Sequence, residues 1–538
     1  MNIKYLYLIF TVMASALLMT GCQSLDEDPR ADLTPGTYYK TPQEMEGTIA
    51  SMYRVLCPDD AWGYIAWQAA WFGSDDLSTV PGSNKEDGRD FDRLQGSASN
   101  GWMSNLWNGA WKAIYQANAI LTSIDNVEYN SESDRNAAAG QAYFIRGMCY
   151  FYLVRTYGDL PIVNGSVDIS ERPDRDPVSS VYEFILSDLT QAEAYLPETW
   201  PGQPGKANRF AAKAMLADVY LSLTGWPMNQ TENYAKAAEK ANDVIQAGKY
   251  TLVPNYGDVF KTNNNSECIF ALQYNTAGGL PRRSTGQFAC PNDEHSAAGD
   301  EGWHDFCTEI TFFRNAPKCE RTDETFLTEL KILKNGEWHI IPWDKMAEAG
   351  NTDDIGTNYQ HPWYKKFRYG VAASGSTAGD GVNETEELIV KMNPSTDKTL
   401  DLIRYPFVLL HYAEASAMAG GGPTAASYEA INTVRRRAGL PDLTPGLSQT
   451  AFRDSVVYER AYECAGENGI RWFDIVRLQM LPQILAERVK GTWTENQFWE
   501  NELNPNYTSG QGLQTRYLAP IPQGEMERNP NWKQNPGY

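Results

Sequence analysis

Apolar and polar positions follow two rhythms along this chain. Across Trp107-Asn108-Gly109-Ala110-Trp111-Lys112-Ala113-Ile114-Tyr115-Gln116-Ala117-Asn118-Ala119-Ile120-Leu121, apolar residues recur at i, i+3, i+4 and i+7. That period predicts an amphipathic helix. A second helix is expected from an N-cap near Ser133 through Tyr152, stopped by Tyr157-Gly158-Asp159-Leu160-Pro161. Another helix pair falls between Asn208 and Gly248, with Ala211, Ala214 and Ala217 set against Ala235, Ala238 and Ala241. Small residues at such spacings let two helices approach closely. A similar unit returns with Leu409–Ala415 and Tyr428–Val434. The two units share a Leu/Tyr/Ala first helix, a Gly-containing turn and a Tyr/Ala/Val second helix. They read as a diverged repeat of TPR length, ~34 residues. Isolated Ala-rich hairpins would give the same pattern.

Between Lys249 and Leu400 the rhythm breaks into short apolar runs, such as Cys268-Ile269-Phe270-Ala271-Leu272-Gln273-Tyr274, separated by Gly, Asn, Pro and Asp. This predicts short strands and long loops. The expected fold is therefore mainly α. Its helical scaffold covers roughly 40–57, 102–248 and 401–480, and its loop-rich parts roughly 58–101, 249–400 and 490–538. Long loops on a helical scaffold are where binding sites usually lie.

The N-terminus has a different character. Lys4 precedes an apolar run from Tyr5 to Met19, which ends in Leu18-Met19-Thr20-Gly21-Cys22. One positive charge, a short apolar stretch and a small residue before a cleavage point predict a signal peptide over 1–21. The run is shorter than the ~20 apolar residues that span a bilayer. Its end looks like a bacterial lipobox, which makes Cys22 the expected lipidated first residue of a mature chain, 22–538. An ordinary secreted protein with Cys at this place, or an N-terminal membrane anchor, are the other readings. The following Leu25-Asp26-Glu27-Asp28-Pro29 resembles a surface-export signal of lipoproteins in Bacteroidota.

Composition adds three constraints. The 538 residues are 42% hydrophobic and 21% charged, an ordinary globular balance. The formal net charge is −22. A surface this acidic repels nucleic acid and anionic headgroups, so no nucleic-acid partner is expected. Sixteen Trp and 30 Tyr exceed what a core needs and suggest stacking platforms. Of the eight cysteines, Cys57, Cys149 and Cys464 sit in helical apolar patterns and read as core. Cys268, Cys290, Cys307 and Cys319 lie in the irregular stretch, where a disulfide is open. There is no CxxC and no EF-hand pattern, and no cofactor is implied.

Five segments in order resemble the SusD/RagB family of outer-membrane lipoproteins. They are Leu25–Pro29 with Tyr38-Tyr39-Lys40-Thr41; Ala142–Gly147 through Tyr157–Val163; Asn432–Leu440; Glu459-Arg460 with Arg471–Arg477; and Tyr517–Pro522 to Gln534–Tyr538. One departure is visible. Gly466-Glu467-Asn468-Gly469-Ile470 carries extra residues before Arg471, where the family usually has Glu-Gly directly before its Arg-Trp segment. The motif charges Arg435, Glu459, Glu463, Arg471 and Asp474 are expected to knit helices together. The resemblance implies a right-handed superhelix of about four TPR-like helix pairs. It implies a surface protein that binds a glycan, or in some branches a peptide, and sits as a lid over a SusC-like TonB-dependent transporter. It also implies attachment to outer-membrane lipid through Cys22.

Sugars present flat apolar faces ringed by hydroxyls. Aromatic rings stack on the faces, while carboxylates, amides and Arg bond the hydroxyls. Two loop regions carry that mixture. Glycan-binding members of the family often draw an Arg, a Trp and an Asn from the stretch that here holds Arg89, Trp102 and Asn105, with Asp75 nearby. The second is Gly302-Trp303-His304-Asp305, where Trp303 is the candidate platform. Trp67, Trp71, Trp107 and Trp111 sit at helical spacing and are expected in the core. Trp338 and Trp343 bracket a strand, and Tyr359 and Trp363 are weaker candidates. Enzyme motifs such as GxSxG, HExxH and a P-loop are missing. The adjacent Asp75 and Asp76 do not form a spaced glycosidase pair. His411 lies in a helix and is expected to be a satisfied structural histidine. A glycan-degrading enzyme is therefore a remote reading, and a binding protein is the expected one.

Overall fold

The computed structural model describes residues 39–79, 84–165, 172–283, 289, 302–345, 361–368, 395–490 and 512–538. The expected signal peptide, Cys22, Cys290 and Tyr359 lie outside the described residues. No helix among the described residues is long and apolar enough to cross a membrane.

The chain is mainly helical. The first helices are α1 (Pro42–Arg54), α2 (Met103–Ser123), α3 (Glu132–Tyr157), α4 (Val178–Tyr195), α5 (Arg209–Leu223) and α6 (Asn233–Gln246). After a loop-rich insert come α7 (Tyr405–Ala419), α8 (Ala425–Arg437), α9 (Gln449–Glu463), α10 (Ile470–Arg477) and α11 (Leu481–Lys490). Helices adjacent in sequence pack on one another from α2 through α6. Helix α6 packs on α7 across the whole insert, and α7 packs on α8 and α9. The pairs α2/α3, α4/α5, α6/α7 and α8/α9 form a TPR-like scaffold.

Local chemistry explains the ends. Thr41 caps α1 in a capping box with Glu44, and Pro42 opens the helix. Helix α3 starts at Ser131, whose side chain accepts from Asp134 N, and not at Ser133. It ends at Gly158 (φ +75°), a conformation open to glycine. On α6 the buried row is Tyr234, Ala237, Ala241 and Val244, at spacings of three and four; Ala235 is exposed and Ala238 half-buried. The expected Ala235/Ala238 seam is therefore shifted round the helix. Arg146 on α3 ties three helices by donating to both carboxylate oxygens of Asp188 on α4, 2.7 Å each, and to Asn118 on α2, 2.6 Å.

The insert enters and leaves through one antiparallel pair, β1 (Cys268–Leu272) with β8 (Leu400–Arg404). Further small ladders join β2 (Arg282–Arg283) to β7 (Ser395–Thr396), β3 (Phe326–Leu327) to β6 (Trp363–Tyr364), and β4 (Glu329–Lys334) to β5 (Glu337–Pro342). The last is a hairpin turned at Asn335-Gly336, both at positive φ. Its Leu330, Ile332 and Ile341 bury with Cys307, Leu327 and Trp363, while Trp338 and Ile340 face out. Trp343 is buried against Phe313.

A buried ion-pair network stands behind the neck. Arg404 donates to Glu467 (2.9 Å), Glu267 (2.8 Å) and Glu463 (3.2 Å). Glu463 also takes Arg437 and Arg321, and Arg321 and Arg435 share Glu459. Burial raises the Glu463 pKa, but Arg437, Arg404 and Arg321 outweigh it and hold the carboxyl down at about 2. A second cluster joins Arg460 and Arg477 to Glu414 and Asp474. The family-motif charges are thus structural: most pair between elements, and Asp474 also pairs with Arg477 along α10.

The extra residues before Arg471 are accommodated by left-handed backbone at Gly466, Asn468 and Gly469. A Cβ at Gly469 would lie 2.3 Å from the Trp71 ring. No disulfide joins any two of the described Cys57, Cys149, Cys268, Cys307, Cys319 and Cys464. His411 is buried, and burial lowers its pKa to about 4. Its Nδ1 has no hydrogen-bond partner, so it is structural but not satisfied as expected.

Candidate functional site

The short 3-10 helix Ile65–Trp71 is buried at all seven positions. Trp62 stacks on Trp67 (4.9 Å, 14°), and Trp67 meets Trp71 edge-on (5.1 Å, 78°). The Trp71 indole donates to Thr156 on α3, 3.0 Å. These tryptophans are a pillar between loop and scaffold. Trp107 is buried and Trp111 half-buried, both packed on the core as their spacing suggests.

Tyr64, at the start of that 3-10 helix, is half-buried and organises the outer surface. The Trp102 ring, at the N-terminus of α2, meets Tyr64 edge-on at 5.6 Å and 74°. The Arg283 guanidinium lies 5.3 Å from the Tyr64 ring and 5.9 Å from the Trp303 ring. Trp303 is 38% exposed, one of few large apolar side chains left open among the described residues. Arg283 thus sits between two aromatic faces, an attractive arrangement for a cation. Its Nε donates to Asp59, whose carbonyl oxygen accepts from Asn105 Nδ2 at 2.9 Å. Asn105 therefore holds Asp59, Asp59 holds Arg283, and Arg283 bridges the rings.

Asp305 anchors the other side. Its carboxylate accepts from the Tyr64 hydroxyl (2.7 Å) and from Lys85, and its carbonyl accepts from Thr79 Oγ1 at 2.6 Å. His304 sits between Trp303 and Asp305 at φ +44°, a strained backbone for a non-glycine residue. Burial, with Lys85 adding, lowers the His304 pKa to about 4, so the ring is neutral at pH 7.

Two expected ligand residues point elsewhere. Asp75 is buried, and both its carboxylate oxygens accept from Arg471 at 2.7 Å. Arg89 is 1% exposed and donates to the Thr79 carbonyl oxygen at 2.8 Å. Both fix the loop from inside and do not present their charges to a ligand. The structure brings Trp102, Asn105 and Trp303 together through Tyr64, Arg283 and Asp59. Those last three were not expected, because their partners lie far away in sequence. Among the described residues no group of His, Cys, Asp and Glu could hold a metal ion.

A helical-repeat scaffold carrying a loop-borne cluster of aromatic rings, an arginine and amide and acid groups defines a binding protein of the TPR-like class. The chain belongs to the SusD family. The pattern of that family matches residues 224–538, and a second, described as starch-binding associating with outer membrane, matches residues 25–221. SusD-like protein P2 from Formosa agariphila is 27% identical, with 98% of this chain and 99% of the relative covered. A solved SusD homolog from Bacteroides thetaiotaomicron has a TM-score of 0.76 at 23% identity, covering 94% of this chain and 98% of that one. Surface glycan-binding protein A from Bacteroides uniformis has a TM-score of 0.68 at 20% identity, covering 92% and 99%.

Proposed function

We propose that this chain is a cell-surface glycan-binding lipoprotein. It captures oligosaccharides on the Trp102–Tyr64–Arg283–Trp303 cluster and passes them to a SusC-like TonB-dependent transporter, over which it sits as a lid. The supporting observation is the half-open aromatic surface with Asp59 and Asn105 at its edge. Rings suit sugar faces, and amide and acid groups suit hydroxyls. Family membership supports an outer-membrane association, and the Cys22 motif supports lipid anchorage with the body facing outward. Binding proceeds without turnover of the glycan. A peptide cargo is the second reading, as in some branches of the family.

The test is an affinity-gel screen of the mature chain carrying Cys22→Ser against plant, host and microbial polysaccharides, followed by calorimetry. Retention by a polysaccharide, lost in Trp102→Ala and Trp303→Ala proteins that remain folded, is the expected result. A blank panel, or undiminished retention of both variants, overturns this reading.

A further inference from the structure

The candidate cluster is assembled from two pieces of chain. Tyr64 comes from the first loop region and Trp102 from the start of α2, whereas Arg283 and Trp303 come from the insert. Asp305, two residues beyond Trp303, joins them. It is 0% exposed and takes three donors from the first loop region. Its carboxylate accepts from the Tyr64 hydroxyl and from Lys85, which is itself buried, and its carbonyl oxygen accepts from Thr79 Oγ1. Beside it Ser78 and Cys307 form an antiparallel bridge, with a backbone hydrogen bond of 2.8 Å in each direction.

Between Asp305 and Trp303 stands only His304, in its left-handed backbone. Strain of this kind persists where the surroundings over-determine it. With Asp305 and Cys307 fixed on the first loop region, that bend sets where the Trp303 ring leaves the chain. Stability is weak ground for such an acid. A buried ion pair roughly offsets its own desolvation, and an apolar pair of similar volume often serves as well. The Tyr64 hydroxyl adds a bond that an ion pair does not need. What that bond supplies is register. The side chain whose ring meets Trp102 and Arg283 is tied by its hydroxyl to the acid that holds the Trp303 loop.

We propose that Asp305 is a positioning residue: through the Tyr64 hydroxyl it sets the Trp303 platform against the Tyr64–Trp102 pair, and so selects among saccharides by the spacing of their apolar faces. The proposal rests on the glycan reading above.

The variant that tests it is Tyr64→Phe in the mature chain carrying Cys22→Ser. It keeps the ring and the Lys85–Asp305 pair and removes only the hydroxyl. Two readouts apply. The first needs no ligand: fluorine NMR of protein labelled with 5-fluorotryptophan, in which the Trp303 resonance is the one missing from Trp303→Phe. Tyr64→Phe is expected to shift or broaden that resonance with an unchanged melting curve. The second is calorimetry with malto-, cello-, laminari-, xylo- and manno-oligosaccharides of equal length. The preferred probe is expected to weaken about tenfold, the scale of one hydrogen bond lost from a charged acceptor, and the others less. An unmoved Trp303 resonance overturns the proposal, whichever glycan binds. Equal weakening of every probe, or none, overturns it as well, because a spacing that selects must lose its preference when it slackens. If the oligosaccharides and the polysaccharide panel are all blank, the glycan reading itself has failed and the proposal falls with it. Panel binding that depends on Trp102, together with either overturning result, sinks the positioning role alone.

Discussion

Two regions of this molecule are built from the same side chains in opposite settings. Behind the neck, Arg404 lies among Glu267, Glu463 and Glu467, with its guanidinium 5.1 Å from the Phe407 ring and 1% exposed. At the outer cluster, Arg283 pairs with Asp59 and lies against Tyr64 and Trp303, with its side chain 39% exposed. Arginine, carboxylate and ring recur in both. In the first, carboxylates surround the guanidinium on several sides and water is excluded. In the second, one carboxylate holds it and a ring is left open. Residue type does not separate scaffold from site; the number of partners and the access of solvent do.

Four predictions press on that contrast. Arg404→Ala should have the largest effect. It leaves Glu267, Glu463 and Glu467 buried and under-compensated, and breaking such a pair costs about 3–5 kcal/mol. A fall in the urea midpoint checks it, and an unchanged midpoint would erase the distinction between the regions. Acid should act on the same region. Glu463 is depressed in the fold, so the stability it contributes is full above the ordinary carboxylate pKa and is lost as pH falls through about 2. His411 adds to this from pH 6.5 down to about 4, where the unfolded chain binds the proton more readily. Melting curves should therefore drop steadily from pH 6.5 toward 2.

Tyr64→Ala should leave melting nearly unchanged relative to Arg404→Ala but weaken glycan binding by about 10–100-fold, as expected for a central aromatic anchor. Calorimetry decides it; a large stability loss with intact affinity would reverse the assignment. The smallest effect belongs to a third setting. Arg436 pairs with Glu429 and Asp442 on the open surface, so Arg436→Ala should cost less than about 1 kcal/mol. A larger loss would mean that exposure is the wrong criterion.

The helices were legible because their signal is local. The spacing of Trp107, Ala110 and Ile114 covers two turns of one element, and the structure buries that face. Ends and seams were less so. Ser131 and Ser133 are equally good caps by type, and only the bond to Asp134 N chooses between them. Ala235 and Ala237 are equally small, and the partner helices select the row. In the candidate cluster, Trp102 and Trp303 were singled out by residue type and neighbourhood, and the structure links them through Tyr64 and Arg283. Asp75 and Arg89 were misplaced because burial depends on partners far along the chain; Asp75 needs Arg471. Tyr64 and Asp305 meet across 241 positions, and no local pattern announces such a pairing.

The neck has one more consequence. Helices α6 and α7 pack directly together although the chain between them makes a long excursion, and that excursion departs and returns through the single β1–β8 ladder. Closing a longer loop at fixed ends costs only about 0.6 kcal/mol per doubling of its length. Length is therefore cheap, but the excursion is not detachable: its Arg321 and Lys366 reach back to Glu459, Glu463 and Glu467 on the spine, so exchanging it means rebuilding those buried pairs.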